Sequence, residues 1–230
     1  MRKIWLIAAA LAWTALASGP ARAADVPQLQ PDDRVLGKAD APIVIFEFFS
    51  LTCPHCAVFD QETLPLVKKN WIDTGKAKLV YRDFPLDQEA LFAAVVARCL
   101  PPQRYPGFID AVFANQRDWA TSGDYKAALA KLAKIAGMNQ HDFDACTGDQ
   151  KMSDAVTAAE FDAKNRYEIE STPTFFVNGK KVVGDLAYPD FVKYLAGDPN
   201  AGTTGVATAA ADRRMLDRVR QWFGALMSRS

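Results

Sequence analysis

Four consecutive residues, Cys53-Pro54-His55-Cys56, constrain this chain more than any other feature. They follow an apolar run, Ile43-Val44-Ile45-Phe46-Glu47-Phe48-Phe49, that lacks clean alternation and so reads as a strand buried on both faces. They precede a stretch from Cys56 to about Asn70 in which Val58, Phe59, Leu64, Leu66 and Val67 fall at helical spacing. Pro65 predicts a kink or restart inside it. Two cysteines two residues apart, where a strand hands over to a helix, form the arrangement of thiol–disulfide exchange.

The spacing assigns unequal roles to the two thiols. Exchange needs a thiolate to attack a disulfide sulfur, and the thiolate fraction follows the thiol pKa. Cys53, at the helix N-terminus, meets the positive end of the helix dipole and free backbone N–H groups. Pro54 suits the first helical turn, and His55 adds a positive charge or a hydrogen bond. All three lower the Cys53 pKa, which makes Cys53 a good leaving group and its disulfide a strong oxidant. Cys56, deeper in the helix, is expected to be the buried, resolving thiol. The competing readings are a structural disulfide or half of a zinc site. The latter needs two more ligands, for which only two scattered cysteines and His141 are candidates.

The rest of the chain surrounds this motif with an α/β pattern. Residues 24–41 form a polar lead-in with a short edge strand at Arg34-Val35-Leu36. Lys78 to Phe84 reads as a second strand closed by Pro85, and residues 42–85 make the first part of the fold. Residues 86–168 are Ala-rich and interrupted at Pro101-Pro102, Tyr105-Pro106-Gly107, Thr121-Ser122-Gly123 and Gly137, a pattern that predicts five helices. In 169–197, Thr174-Phe175-Phe176-Val177, Asn178-Gly179 and Lys181-Val182-Val183 form a strong hairpin signal, followed by a helix from Tyr188 to Leu195. A parallel crossover needs about a dozen residues. The far longer helical stretch here implies an inserted all-helical subdomain. Residues 198–210 read as a linker and 211–230 as an amphipathic helix.

Arg2 and Lys3, the apolar stretch Ile4 to Ala17 and then Ala21-Arg22-Ala23 match a secretory signal peptide, residues 1–23, cut near Ala23. The alternative is a retained anchor, but the stretch is short against the about 20 residues that span a bilayer. Removing its three basic residues leaves 24 basic and 27 acidic side chains, a net −3 that points to no nucleic-acid partner. Export, with periplasm as the first expectation, places the cysteines where disulfides persist.

The run Phe46-Glu47-Phe48-Phe49-Ser50-Leu51-Thr52-Cys53-Pro54-His55-Cys56 resembles the active-site region of the DsbA family, periplasmic thiol–disulfide oxidoreductases of the thioredoxin superfamily. Ser171-Thr172-Pro173-Thr174-Phe175-Phe176-Val177-Asn178-Gly179 resembles that family's second signature. The resemblance implies a thioredoxin-like fold with inserted helices, a cis Pro173 lying against the dithiol, and Thr172 backbone groups offered to an extended substrate strand. An apolar residue often precedes this proline in the family, so Thr172 is a departure that bears on potential and substrate choice. The resemblance also places Glu47 under the active site, assisting proton transfer at Cys56. The alternative is a strand-edge glutamate facing solvent. Lys78 and Arg82 are its candidate partners.

Cys99 and Cys146 remain once Cys53 is paired with Cys56. A disulfide between them closes a segment of about 48 residues and stabilises by about 4 kcal/mol in the chain-entropy model. Two buried free thiols or a second redox relay are the other readings. His141 reads as an exposed or capping residue. In the tail, Met215, Leu216, Val219, Trp222, Phe223, Leu226 and Met227 share a helical face. That face suits docking on its own domain, a dimer contact, or a peripheral membrane contact.

The expected activity is disulfide donation to reduced or unfolded exported proteins, with reoxidation by a membrane-embedded, DsbB-like oxidase and no metal or organic cofactor. The alternatives are an isomerase or reductase of the same fold, a Cu(I)-binding copper-tolerance protein and a purely structural secreted module.

Overall fold

The computed structural model describes residues 25–197. The expected signal peptide, linker and C-terminal helix lie outside the described residues. Five strands form one mixed sheet in the order β1-β3-β2-β4-β5. They are β1 (Arg34–Leu36), β2 (Ile43–Phe49), β3 (Ala77–Asp83), β4 (Thr174–Val177) and β5 (Lys180–Val183). β2 and β3 run parallel, and the other pairs are antiparallel.

The central position of β2 explains its apolar sequence. Ile45 and Phe49 enter the core shared with the dithiol helix, while Phe46 and Phe48 enter a second core on the opposite face. Asn178 and Gly179 join β4 to β5 with φ of 50° and 81°, the left-handed pair that a two-residue hairpin requires.

Helices α1 (Pro54–Val58) and α2 (Leu64–Val67) belong to one continuous helical run. A π-type turn, Phe59–Thr63, joins them, and another, Lys68–Ile72, extends them. The α-helix restarts at Leu64 with Pro65 in its first turn, as the sequence predicts, while the helical run continues. The Leu64 N–H bonds back to the Phe59 carbonyl, five residues away. This wider turn carries the chain past a residue that lacks its own donor.

The insertion holds six helices where the sequence predicts five: α3 (Gln88–Arg98), α4 (Tyr105–Ala114), α5 (Gln116–Ala120), α6 (Tyr125–Ile135), α7 (Gln140–Thr147) and α8 (Gln150–Arg166). The breaks read from the sequence mark neither the α4–α5 nor the α7–α8 junction, and Tyr105-Pro106-Gly107 is the first turn of α4; α5 is the shortest of the six. It is split from α4 at Asn115, whose side-chain amide donates to the Ala111 carbonyl at 2.8 Å and closes the end of α4. Neither Gly nor Pro marks that junction, so it left no breaker signal. Asp87, Asp124, Asn139 and Asp149 cap α3, α6, α7 and α8 through their side chains.

Val96, Phe108, Trp119, Leu129 and Phe143 of α3 to α7 join the core on the dithiol side. Ala163 of α8, with Tyr167, packs against the opposite face. Helix α9 (Tyr188–Leu195) places Phe191 against Phe59 and Phe175, with ring centroids 5.2 and 5.1 Å apart. Among the described residues, no helix is long and apolar enough to cross a membrane.

Candidate active site

Cys53 is the N-cap of α1, in extended conformation, with Pro54 in the first turn behind it. The strand–helix turn beneath it is tied down from the insertion. Gln116 Nε2 of α5 donates to the carbonyls of Leu51 and Cys53 at 2.8 and 2.9 Å. The Thr52 hydroxyl donates to Asp87 Oδ2 at 2.7 Å. Both cysteines are free thiols and buried, Cys56 completely and Cys53 to within 6%.

The Thr172–Pro173 peptide bond is cis, and the Cys53 thiol donates to the Thr172 carbonyl at 3.2 Å. The loop before β4 thus lies directly against the first sulfur, although some 120 residues separate them. The Thr172 hydroxyl is buried beside this contact with no hydrogen-bond partner, and a bond from it would favour an ionised Cys53 sulfur.

These contacts divide the two thiols. The hydrogen bond from Cys56 does most to lower Cys53, to about 5. The Thr172 hydroxyl and the backbone N–H groups of Cys56 and His55 add to it, against a desolvation that pulls the other way. Cys56 is pushed far up, first by burial, then by its hydrogen bond to Cys53 and by the charges of Cys53 and Glu47. Near neutral pH the reduced site is one thiolate over one thiol.

Glu47 lies on the same side of β2 as Ile45 and is 2% exposed, so it does not face solvent. Neither candidate cation reaches it. Tyr81 is its register partner on β3, and Lys78 and Arg82 leave that strand on the opposite face. Lys78 Nζ donates to the Ala39 carbonyl, and Arg82 stacks on Phe46 and pairs with Asp33 at 2.8 Å. Burial, then the charge of Asp60, raises Glu47 well above the usual carboxylate range. Asp60 stands one turn after Cys56 and is itself pushed up to about 7 by burial and by Asp110. The Tyr81 hydroxyl, buried without a partner, feels the charges of Glu47, Asp110 and Asp60.

His55 is exposed, and its Nδ1 lies 3.1 Å from Asp185 Oδ1. That hydrogen bond, and then the carboxylate charge, raise the His55 pKa. Asp185, Gln116 and Asp60 were not anticipated. Asp60 was the readable one, because it shares a helical face with Cys56 four residues earlier. No local signal marks the other two.

Cys99, the C-cap of α3, and Cys146, in α7, form a disulfide with an S–S distance of 1.98 Å and a Cα–Cα distance of 6.1 Å. Cys146 belongs to a separate apolar cluster with Ala94, Val95 and Val156. His141 is exposed beside Asp142. Among the described residues, no group of three or more His, Cys, Asp or Glu side chains is placed to hold a metal ion.

A central strand that runs into a Cys-x-x-Cys helix, with a cis-proline loop laid against the first sulfur, defines a thioredoxin-fold dithiol protein. A family model described as thioredoxin matches residues 29–196. The crystal structure of alpha-DsbA1 from Wolbachia pipientis is similar, with 31% identity and a TM-score of 0.69, covering 74% of this chain and 92% of that one. The chain belongs to the thioredoxin family, in its DsbA-like branch.

Among curated relatives, a Rickettsia bellii protein that carries the provisional name protein-disulfide oxidoreductase is 32% identical over 66% of this chain and 59% of its own length. The present chain thus spans well under two thirds of that relative. Disulfide bond formation protein D of Bacillus subtilis is 28% identical, with 69% of this chain and 73% of the relative covered. The oxidised BdbD structure from Bacillus subtilis shares the fold at 23% identity and a TM-score of 0.68, over 76% of this chain and 96% of that one.

Proposed function

We propose that this chain is a dithiol oxidase that donates the Cys53–Cys56 disulfide to reduced exported proteins. One observation carries the reading. The stabilising donors converge on Cys53, namely the Cys56 thiol, the Thr172 hydroxyl and the His55 and Cys56 amides. A sulfur held as thiolate in this way leaves readily, so its disulfide is easily opened.

A substrate thiolate attacks Cys53 Sγ of the disulfide. The Cys53–Cys56 bond breaks, its electron pair goes to Cys56, and a mixed disulfide forms. Cys56 is strongly basic, and Glu47 supplies its proton. The Thr172 and Pro173 loop positions the substrate chain beside Cys53. A second substrate thiolate then attacks the substrate sulfur of the mixed disulfide. Cys53 leaves as a stabilised thiolate, and the substrate has lost two electrons to the enzyme. His55 and Pro54 keep the first helical turn suited to that thiolate, and Cys99–Cys146 acts as a structural disulfide.

The charged start and apolar stretch of residues 1–23 support export to the periplasm. A DsbB-like membrane oxidase as the reoxidant follows from the DsbA-like kinship and not from the names of the relatives. They lend nothing to the copper-binding alternative.

The test is the equilibrium of the Cys53–Cys56 pair in glutathione buffers. A potential near that of DsbA, about −120 mV, supports the oxidase. A value near that of thioredoxin, about −270 mV, overturns it and points to a reductase fed by an electron donor.

A further inference from the structure

The first turn of the dithiol helix makes a second contact, with the strap that follows β5. This strap, Gly184 to Leu186, is pinned to both halves of the site. The Gly184 N–H donates to the Pro173 carbonyl at 2.9 Å, and the Thr63 hydroxyl donates to the Leu186 carbonyl at 2.9 Å. Within the strap, the Leu186 N–H donates to the Gly184 carbonyl at 3.1 Å. Gly184 takes φ +94°, a conformation that disfavours any side chain there. Asp185 is thereby held on a fixed backbone, half-buried, with Oδ1 3.1 Å from His55 Nδ1. His55 neighbours Cys53 on the helix, and its own N–H points at the Cys53 sulfur.

We propose that Asp185 is a positioning residue for the exchange reaction: it holds His55 as an imidazolium beside Cys53 and so keeps the Cys53 thiolate a good leaving group across the neutral range. This inference deepens the oxidase reading and rests on it. An unpartnered histidine sheds its proton around pH 6.5, and its help to Cys53 ends there. Asp185 moves that loss to higher pH. The charges that act on His55 are those of Asp185 and of Cys53 itself, and both favour the imidazolium. The coupling is reciprocal, so a thiolate that holds the proton on His55 is stabilised by it to the same extent.

His55 is 69% exposed, so solvent screens the pair. Exposed ion pairs are worth about 0.2 to 1 kcal/mol, which corresponds to roughly a 1.5- to 5-fold change in an equilibrium constant.

The experiment compares the full chain with its Asp185→Asn, Asp185→Glu, His55→Ala and Asp185→Asn/His55→Ala variants. It reads the glutathione equilibrium constant between pH 6 and 8, the Cys53 thiolate titration by ultraviolet absorbance, and the His55 ring titration by NMR. Asp185→Asn should return His55 to the ordinary histidine range. It should also make the disulfide about 1.5- to 5-fold less oxidising near neutrality. The gap should close below about pH 6, where His55 is protonated in both proteins. Asp185→Glu should recover most of the effect, and in the His55→Ala background Asp185→Asn should change nothing.

The inference is overturned if Asp185→Asn leaves the equilibrium unchanged or makes it more oxidising. It is also overturned if the shift is equal without His55, or if Asp185→Glu behaves as Asp185→Asn does. The absolute constant of the parent protein decides the oxidase reading, and only the differences decide the role of Asp185.

Discussion

The four cysteines form two pairs under opposite conditions. Cys53 and Cys56 lie on one helical turn, and their surroundings are unequal: the first sulfur gathers hydrogen-bond donors, while the second is buried over Glu47. Cys99 and Cys146 come from two helices of the insertion, and Cys146 is packed among Ala94, Val95 and Val156. Among the described residues, no hydrogen-bond donor reaches either sulfur of that pair. A disulfide is labile where one of its thiolates is much better stabilised than the other, and inert where neither is. The difference teaches that pairing cysteines is the easy part of such a protein. Placing N–H, O–H and carboxyl groups unequally around them is what makes one pair reactive.

The comparison breaks most completely at the first sulfur. Cys53→Ser should abolish disulfide donation, and Cys56→Ser should leave mixed disulfides that accumulate on Cys53, as seen on non-reducing gels. If donation survives Cys53→Ser, Cys99 and Cys146 are not merely structural. Replacing both Cys99 and Cys146 by Ala should do the reverse. Denaturant unfolding should show a loss approaching about 4 kcal/mol, while the glutathione equilibrium of the remaining pair stays unchanged.

The next effect sharpens the inequality. Thiolate absorbance of the reduced protein should titrate once, at about pH 5, for Cys53, with Cys56 remaining a thiol far into alkali. The sign follows from linkage. Cys53 has a depressed pKa, so its contribution to the reduced form is fully present above the ordinary thiol range, near 8.5, and is lost as pH falls through about 5. Midpoints of reduced and oxidised protein should therefore diverge between those values as pH rises.

Glu47 and Asp60 run the other way. Their raised values make their contribution complete below about pH 4 and lost as pH rises, through about 7 for Asp60. Glu47→Gln should flatten that alkaline decline in stability. It should also slow exchange by up to the roughly 100-fold at the lower end for a placed proton-transfer group, measured by stopped-flow reaction with a dithiol peptide. A smaller change is expected from Thr172→Val, which keeps the carbonyl and replaces the hydroxyl with a methyl group. The Cys53 titration should move up, and the disulfide should become about tenfold less oxidising, as for one hydrogen bond to a charged group.

Much of the framework was legible because it is encoded locally. The unalternating run of β2, the Asn178-Gly179 turn and the Pro54 start of α1 are decided by residues within a few positions of each other. Pro65 was readable as a restart, since α2 begins with it in its first turn, and the α4–α5 junction left no mark because an asparagine side chain rather than Gly or Pro ends α4. At the site, the two thiols and Glu47 stand out as residue types in telling places, whereas Pro173 was legible only through its resemblance to the family's second signature. The partners of Glu47 did not stand out, because strand parity sends Lys78 and Arg82 to the other face of the sheet.

From its order of residues alone, this protein is committed to a strand, a Cys-x-x-Cys helix, an inserted helical block and a closing hairpin. Which groups surround each sulfur was decided only when the sheet closed. Thr172 reaches Cys53 because β4 pairs with β2, Gln116 because α5 folds back over the turn, and Asp185 because its strap is pinned between the proline loop and Thr63. Short-range propensity acts over a few residues, whereas the charge and hydrogen bonding that divide Cys53 from Cys56 come from groups tens of residues away that packing alone brings together.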